Sequence, residues 1–211
     1  MGLTLYGMLV IVLTFAPIGE RVPLPCGGEV LRSQSVVYCA LIRNFVTPEM
    51  KDVAEDAAAR VAAEFPGTVT LTLDGNLPFG EGVPLIPHLS HDDGEKLDFA
   101  YYFLDAEGRY LPGKTRSWIG YWAFETDGTD CPAAGGWSMR WDMGWLQGLW
   151  PDRRLDEART RALILALAGD PRVSKIFVEP SLARRLQVSG PKIRFHGCRA
   201  ARHDDHIHVE L

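Results

Sequence analysis

Residues 206–211 read His-Ile-His-Val-Glu-Leu, a short alternating run rich in β-branched residues that predicts a β-strand. Successive side chains of a strand point to opposite faces, so His206 and His208 share one face and Ile207 points to the other. We expect Ile207 to hold the strand in the core. A histidine pair on one face of a strand also indicates a metal site.

The elements before this strand alternate irregularly between strand and helix patterns. Thr68–Leu73 alternates threonine with valine or leucine, which is typical of a half-buried strand. Leu97–Leu104 is a β-rich run, and a return strand near Arg109–Leu111 would complete a hairpin. Helices are predicted from a Thr47-Pro48-Glu49 start and over Leu155–Ala168. We therefore expect an α+β fold: a single domain with a central antiparallel sheet flanked by helices.

Composition places the chain among ordinary globular proteins. It has 211 residues, of which 46% are hydrophobic and 23% are charged, and its formal net charge is −5. This length suffices for one domain with a sizeable core. Because no basic stripe alternates with aromatic residues, we expect no nucleic-acid partner.

The N-terminal segment has the character of an export signal. Leu3–Ile18 carries no charge and is shorter than the roughly 20 apolar residues of a membrane-spanning helix. However, no Lys or Arg precedes it, and no small-x-small cleavage site follows it. A buried first element of the domain and an uncleaved membrane anchor remain open. We assign residues 1–25 to a signal peptide or N-terminal membrane anchor, and residues 26–211 to the functional domain.

The four cysteines are isolated along the sequence. They form no C-x-x-C pair, which argues against a cysteine zinc site or a thioredoxin-like redox site. An even number behind a possible export signal is typical of two disulfides in an oxidising compartment. Four buried thiols in a cytosolic protein are the alternative. Of the three possible connectivities we expect Cys26–Cys39 with Cys131–Cys198.

Five of the six histidines lie in two clusters that also contain aspartate. His91 and Asp98 are seven residues apart, and Gly94 between them allows a tight reversal. His206 and His208 form the second candidate pair. Zinc in hydrolases commonly takes three nitrogen or oxygen ligands from the protein and keeps a fourth position for water. Two histidines and one aspartate supply such a set.

The amino-acid sequences of both clusters resemble motifs of a known family. Residues 88–98, His-Leu-Ser-His-Asp-Asp-Gly-Glu-Lys-Leu-Asp, resemble the first zinc motif of penicillin-insensitive murein endopeptidases, and a related form occurs in D-alanyl-D-alanine peptidases. Residues 203–208, His-Asp-Asp-His-Ile-His, resemble the last motif of the murein endopeptidases. Lysostaphin-type peptidases and the hedgehog signalling domain belong to the same superfamily. The resemblance spans roughly residues 85–211.

The resemblance implies a role for each matching position. His91, Asp98 and His208 match the ligands of a zinc ion (Zn2+) in a cleft on the sheet, and His206 and His203 match the catalytic histidines that handle the proton. Chemistry agrees, because a histidine beside a ligand can carry a proton near neutral pH.

The implied activity of residues 26–211 is that of a zinc-dependent endopeptidase. It would hydrolyse peptide cross-links of peptidoglycan through metal-activated water, in the periplasm or outside the cell. The alternatives are a D-alanyl-D-alanine carboxypeptidase or dipeptidase, and a catalytically silent, zinc-stabilised binding module. The expected partners are peptidoglycan peptides, with membrane contact only through an N-terminal anchor.

Some positions depart from the family or stay open. Residues 99–150 contain no histidine, so a second metal is not expected. His88 matches a position that can contact metal in the family, but it can equally be a loop residue packed near the site. The tryptophans of residues 112–150 could wall a cleft, although we favour the interpretation that they form core under a long loop.

Overall fold

The computed structural model describes residues 20–79, 82–86, 88–125, 131, 139–141 and 143–211. These residues form an α+β domain. The strands are β1 (Val22–Pro23), β2 (Leu31–Ser33), β3 (Phe45–Val46), β4 (Thr70–Thr72), β5 (Lys96–Ala100), β6 (Phe103–Leu104), β7 (Arg154–Leu155), β8 (Lys175–Phe177), β9 (Ile193–Arg194) and β10 (His206–Glu210). The helices are α1 (Val36–Ala40), α2 (Pro48–Glu64), α3 (Gly144–Gln147), α4 (Glu157–Ala168) and α5 (Pro180–Arg185).

The main sheet has six strands in the order β2-β4-β5-β10-β8-β9. Its centre is antiparallel: β10 lies between β5 and β8 and pairs with both in opposite direction. The two outermost pairings, β2 with β4 and β8 with β9, are parallel. The predicted α+β fold with a central antiparallel sheet is therefore confirmed, with a parallel strand added at each edge.

The core lies between one face of this sheet and the two long helices. Thr47 caps α2 by accepting a hydrogen bond from the Met50 amide, and Asp156 caps α4 in the same way through the Arg159 amide. Apolar side chains of both helices share a buried cluster with the sheet, in which Ile207 is fully buried. Burying such a side chain contributes about 1.5–3 kcal/mol. As expected from the alternation, Ile207 fixes β10 and turns its histidines to the other face.

The predicted strand Leu97–Leu104 is divided in two. β5 ends at Ala100, and the next two residues leave the sheet with buried tyrosine rings. Tyr101 donates a hydrogen bond to the His203 carbonyl, and the hydroxyls of Tyr102 and Thr70 are bonded. β6 then pairs with β7. The predicted return near Arg109–Leu111 is present in a reduced form: Leu104 and Tyr110 form an isolated antiparallel bridge, and the Leu111 amide donates to the Phe103 carbonyl at 2.9 Å.

Both predicted disulfides are confirmed. Cys26 is bonded to Cys39 of α1, and Cys131 is bonded to Cys198. Two disulfides are consistent with an extracellular or periplasmic protein. In the part of the chain that the structure describes, no helix combines the length and apolarity needed to cross a membrane.

The N-terminal assignment falls largely outside the described residues, which begin at residue 20. Within the described part, β1 pairs with β3, and Leu24 is buried in the core cluster. Residues 22–24 therefore pack with the domain.

Candidate metal centre

The centre of the site is a cross-strand pair. Asp98 of β5 and His208 of β10 are direct partners in the antiparallel register, and both side chains leave the sheet on the face opposite the helices. Asp98 Oδ1 lies 2.8 Å from His208 Nδ1. Asp98 stands between Leu97 and Phe99, which are both buried in the core cluster. The packing of these neighbours fixes the direction of the carboxylate.

His91 reaches the same place from the loop before β5. The loop reverses at Gly94, whose φ is +88°, and a Cβ there would lie 2.9 Å from the Arg21 guanidinium nitrogen Nε. Only glycine suits that position. Arg21 braces the loop by donating to the carbonyls of Leu77 and Asp92. The tight reversal expected from the sequence at Gly94 is confirmed.

The ring of His91 is held in one orientation. Its Nδ1 lies 2.7 Å from the Gly75 carbonyl, which can only accept a hydrogen bond, so we assign the proton to Nδ1. The lone pair of Nε2 then faces the site. His91 Nε2 lies 3.4 Å from Asp98 Oδ1 and 3.1 Å from His208 Nδ1.

The structure shows a His-His-Asp group that could hold a metal ion. Ligand atoms of His88, His91 and Asp98 all lie within 4.8 Å of one another. His208 adjoins this group at the distances given above, so the expected ligands His91, Asp98 and His208 are brought together. All three side chains are almost fully buried.

The carboxylate of Glu210 lies beside the ring nitrogen of His208 that does not face Asp98. Its Nε2 lies 3.5 Å from Glu210 Oε1, and Glu210 Oε2 is paired with Lys175 at 2.6 Å. The contact with His208 and the ammonium of Lys175 lower the pKa of Glu210 to about 2. A carboxylate beside one ring nitrogen leaves the other nitrogen free to bind metal.

Asp98 accepts a hydrogen bond on its second oxygen. Tyr121 donates its hydroxyl proton to Asp98 Oδ2 at 2.6 Å, and the same hydroxyl accepts the Asp74 amide at 3.1 Å. Burial alone would raise the pKa of Asp98, but the neighbouring His91, His206 and His208 hold it well below its usual range. Asp98 is therefore a fixed anionic group at the centre of the site.

His206 lies beside this group and forms a dyad with Asp205. Its Nδ1 is hydrogen-bonded to Asp205 Oδ1, and Asp205 Oδ2 accepts the Trp122 amide. The other ring nitrogen, Nε2, lies 3.7 Å from Asp98 Oδ2. Burial lowers the pKa of His206, but Asp205 and Asp98 outweigh it and raise the value to about 9. Asp205 therefore orients the ring of His206.

His203 is the second expected catalytic histidine, and its ring lies near both His206 and His208. Its ring centroid lies 4.9 Å from that of His206 and 5.7 Å from that of His208. Burial and these two imidazoles hold the pKa of His203 well below its usual range. Its backbone is fixed by Glu179, which accepts the His203 amide and is paired with the buried Arg140.

His88 lines the site but is held by a different group. Its Nδ1 lies 2.9 Å from Asp74 Oδ2 and 3.4 Å from Asp98 Oδ2. Asp74 is buried and makes a two-pronged ion pair with Arg43, with both contacts at 2.7 Å. Burial would raise the pKa of Asp74, but Arg43 and His88 keep it below its ordinary value.

A cavity of about 240 Å³ opens onto these side chains. It is lined by the imidazoles of both histidine clusters and by Asp98. His196 also lines it, its ring stacked on Phe177 at 4.3 Å between centroids. The site is thus a cleft on the sheet.

The prediction that the tryptophans form core is only partly testable, and it fails for three of them. The interpretation as core is wrong for Trp118, Trp141 and Trp145, whose side chains are 78%, 43% and 74% exposed. Trp122 lines a small cavity beside His206. Trp137 lies outside the described residues.

Comparison with known proteins adds no family assignment. No protein-family model matches the chain, and a search of curated proteins gives no match. The motif resemblance therefore stands on the residues alone, beside a buried group that could bind metal.

Proposed function

We propose that the protein is a zinc-dependent peptidase with His91, Asp98 and His208 as its ligands. The observation that carries the proposal is the convergence of these donor atoms beside the His206–Asp205 dyad. Ligands about 2.0–2.2 Å from a tetrahedral zinc lie about 3.3 Å apart. The separations of 2.8, 3.1 and 3.4 Å suit that arrangement.

His208 fits the third ligand position better than His88 does. The contact of His88 with Asp98, at 3.4 Å, is made by Nδ1, the nitrogen that is already hydrogen-bonded to Asp74. Among the described residues, Asp98 and His91 lie 2.8 and 3.1 Å from the Nδ1 of His208, and Glu210 lies 3.5 Å from its other nitrogen. Neutral nitrogen donors with one carboxylate are typical of catalytic zinc sites. His88 then borders the cleft without ligating.

The remaining residues supply proton handling and orientation. Bound in this site, a zinc ion would supply Lewis-acid chemistry, lowering the pKa of water and polarising a carbonyl. His206 Nε2 is directed at the centre and, supported by Asp205, can donate a proton to a leaving amine. His203 is kept neutral by burial and can accept a hydrogen bond from a group in the cleft. Tyr121 keeps the Asp98 carboxylate from rotating.

The proposed substrates are the peptide cross-links of peptidoglycan. Support for this substrate class comes from the two sequence motifs around His91 and His206, and the disulfides suit a protein that works outside the cytosol. The walls of the cleft are compatible with a peptide backbone, since they combine histidine and carboxylate groups with apolar surface.

The test uses the purified full chain loaded with one equivalent of zinc and incubated with cross-linked muropeptides. Mass spectrometry of the products should show cleavage of the cross-link. A terminal D-alanine as the sole product would assign a carboxypeptidase instead. His206→Gln should retain zinc and lose cleavage by at least about a hundredfold, the usual contribution of a general acid or base. Muropeptide binding without cleavage, equal in wild type and His206→Gln, would favour the silent binding module.

A further inference from the structure

Tryptophans beside the candidate metal centre form a connected surface. Trp122 and Trp141 line a small cavity that is continuous with the cavity at the proposed ligands, because both are lined by His88, Met139, Ala201 and His206. Trp150 Nε1 donates to the Trp122 carbonyl at 2.8 Å, and the ring centroids of Trp150 and Trp118 are 5.9 Å apart. These contacts lead outward from His206. We call Trp122, Trp141, Trp150 and Trp118 the tryptophan row.

The backbone of Trp122 is held in a conformation that a bulky residue rarely adopts. Its φ is +62°, in the left-handed region. Its amide donates to Asp205, and its carbonyl accepts from Gln147 Nε2 and Trp150 Nε1, both at 2.8 Å. Asp205 is also the carboxylate that orients His206. Residues held in such strained conformations cluster at active sites and ligand-binding sites. Trp122 is therefore fixed beside the proposed proton carrier.

The outer part of the tryptophan row presents aromatic surface to solvent. Trp118 and Trp141 are 78% and 43% exposed. A connected group of exposed apolar rings marks a surface that binds something. The cavity at Trp122 and Trp141, about 40 Å³, is much smaller than the cavity of about 150 Å³ that encloses benzene. The row is therefore an open platform on which a ring can lie, and not a closed pocket.

The charged groups beside the platform are already paired. Arg202, which lines the cavity with Trp122, contacts Asp204 at 2.9 and 2.7 Å, and its guanidinium carbon lies 3.9 Å from the centroid of the Phe124 ring. Asp205 is paired with His206. A charged ligand would lose its hydration here and would have to compete with these pairs. The platform therefore suits an uncharged ligand.

These features match the chemistry of a sugar ring. The C–H groups on the face of a pyranose pack against the face of an indole, while the hydroxyls at the rim of the ring stay in water. The glycan strand of peptidoglycan is a chain of N-acetylated hexosamines, and their lactyl carboxyl groups are uncharged where they are joined to peptide. A cross-link held at the metal centre is attached to that strand a few amino acids away.

We propose that the tryptophan row binds sugar rings of the glycan strand to which the cut peptide is attached. The proposal rests on the proposed function and makes its substrate more specific: the peptide is recognised while it is still joined to its glycan. Trp122 and Trp141 contact the sugar nearest to the metal centre, and Trp150 and Trp118 contact the sugars beyond it.

The first experiment measures binding of chitotetraose, the neutral tetramer of N-acetylglucosamine, to the full chain by calorimetry. This probe carries sugar rings and no amino acid. Trp118→Ala and Trp141→Ala should each weaken its binding at least about fivefold, as is usual when a tryptophan that contributes to binding is truncated. Trp118→Phe keeps an aromatic face and should recover most of the affinity. Metal-free and zinc-loaded wild type should bind the tetramer equally, because the row contains no proposed ligand.

Trp145 provides the matched control. It is 74% exposed, which is comparable to the exposure of Trp118. It lies two positions before Gln147 in α3, about 200° around the helix, so its ring points away from the side that holds Trp122. Trp145→Ala should keep the affinity of wild type for the tetramer. A loss equal to that of Trp118→Ala would overturn the assignment to the tryptophan row.

The second experiment compares two substrates of the zinc-loaded protein. One is a cross-linked muropeptide with its sugars, and the other is the same cross-linked peptide after an amidase has removed the sugars. The ratio of kcat/KM for the first substrate to that for the second should be at least about fivefold lower in Trp118→Ala than in wild type. The change should lie mainly in KM, because Trp118 is remote from the bond that is cut. An identical ratio in both proteins would overturn the proposal.

The outcomes separate this proposal from the metallopeptidase proposal. Absence of tetramer binding by wild type, or equal binding by wild type, Trp118→Ala and Trp141→Ala, would overturn the glycan subsite. Binding to phosphatidylglycerol vesicles that Trp118→Ala loses, without tetramer binding, would also overturn it and would assign the row to a membrane surface. Tetramer binding that requires the row, with no cleavage of either substrate, would support the subsite and overturn the peptidase.

Discussion

Asp98 and His208 face each other across two antiparallel strands, with Oδ1 and Nδ1 2.8 Å apart. This pairing depends on register: a slip of one residue would turn every side chain of β10 to the other face and bury the histidines in the core. The fully buried Ile207 prevents that slip. The fold and the candidate metal centre therefore depend on the same five-residue strand.

The ligand assignment predicts different metal contents for two histidine variants. His208→Ala removes a proposed ligand and should abolish stoichiometric zinc binding. His88→Ala should retain one zinc per chain, because the proposed ligand set does not include His88, whose contact with Asp98 is made through the nitrogen bonded to Asp74. Elemental analysis after dialysis measures both. His196→Ala, which changes a histidine that lines the cavity outside the ligand set, is the control.

The reverse result would reassign the site. If His88→Ala loses zinc and His208→Ala keeps it, then the group formed by His88, His91 and Asp98 is the true ligand set.

The carboxylate behind His208 predicts an effect on zinc affinity. Glu210→Gln keeps the size of the side chain but removes the charge that orients the His208 ring. We expect the zinc dissociation constant to rise about 10- to 100-fold, as is usual for a partner of a metal ligand. Competition with a chromophoric chelator measures it. Glu95→Gln, at an exposed carboxylate just before β5, should leave the constant unchanged; an equal effect of both variants would mean that Glu210 acts only through net charge.

The Cys26–Cys39 disulfide predicts a loss of stability when it is removed. It joins residues 13 positions apart, and a loop of that length contributes about 3 kcal/mol to the free energy of unfolding in the chain-entropy model. The Cys26→Ser/Cys39→Ser double variant should therefore unfold at a lower urea midpoint. Equilibrium unfolding followed by fluorescence measures the difference. An unchanged midpoint would show that the segment is held by packing alone.

Local patterns in the sequence were enough to predict the elements that carry the proposed ligands. The alternation in residues 206–211 correctly predicted which side chains face the site, and Gly94 correctly marked the reversal after His91. Glu210 was missed although a signal existed, since it lies two residues beyond His208 and so shares its face.

Other partners could not be found from local patterns. Asp74 and Tyr121 are far from the motifs in sequence, and only the tertiary fold brings them to His88 and Asp98. The split after Ala100 arises because buried Tyr101 and Tyr102 find hydrogen-bond partners outside the sheet. Such long-range bonds leave no periodic trace in a single sequence.

A buried carboxyl away from the proposed ligands predicts a pH dependence of stability. Burial raises the pKa of Glu125 from its ordinary value of 4.5 to about 7, although Arg116 at 2.8 Å and Arg185 at 3.6 Å oppose the shift. The folded protein therefore holds this proton more tightly than the unfolded chain does. Between pH 4.5 and about 7 the folded state binds more protons, so the contribution of Glu125 to stability falls as pH rises and is constant above pH 7.

Glu125→Gln should remove this dependence. A raised pKa from 4.5 to about 7 corresponds to about 3 kcal/mol in the free energy of unfolding. Relative to wild type, the variant should gain up to about that amount between pH 5 and pH 8, because it never has to ionise a buried group. Urea unfolding of both proteins across this pH range measures the difference. Glu157→Gln, a half-exposed carboxylate that also pairs with Arg185, should show no such trend. A difference between wild type and Glu125→Gln that stays constant with pH would mean that Glu125 is already ionised at pH 5, held so by Arg116.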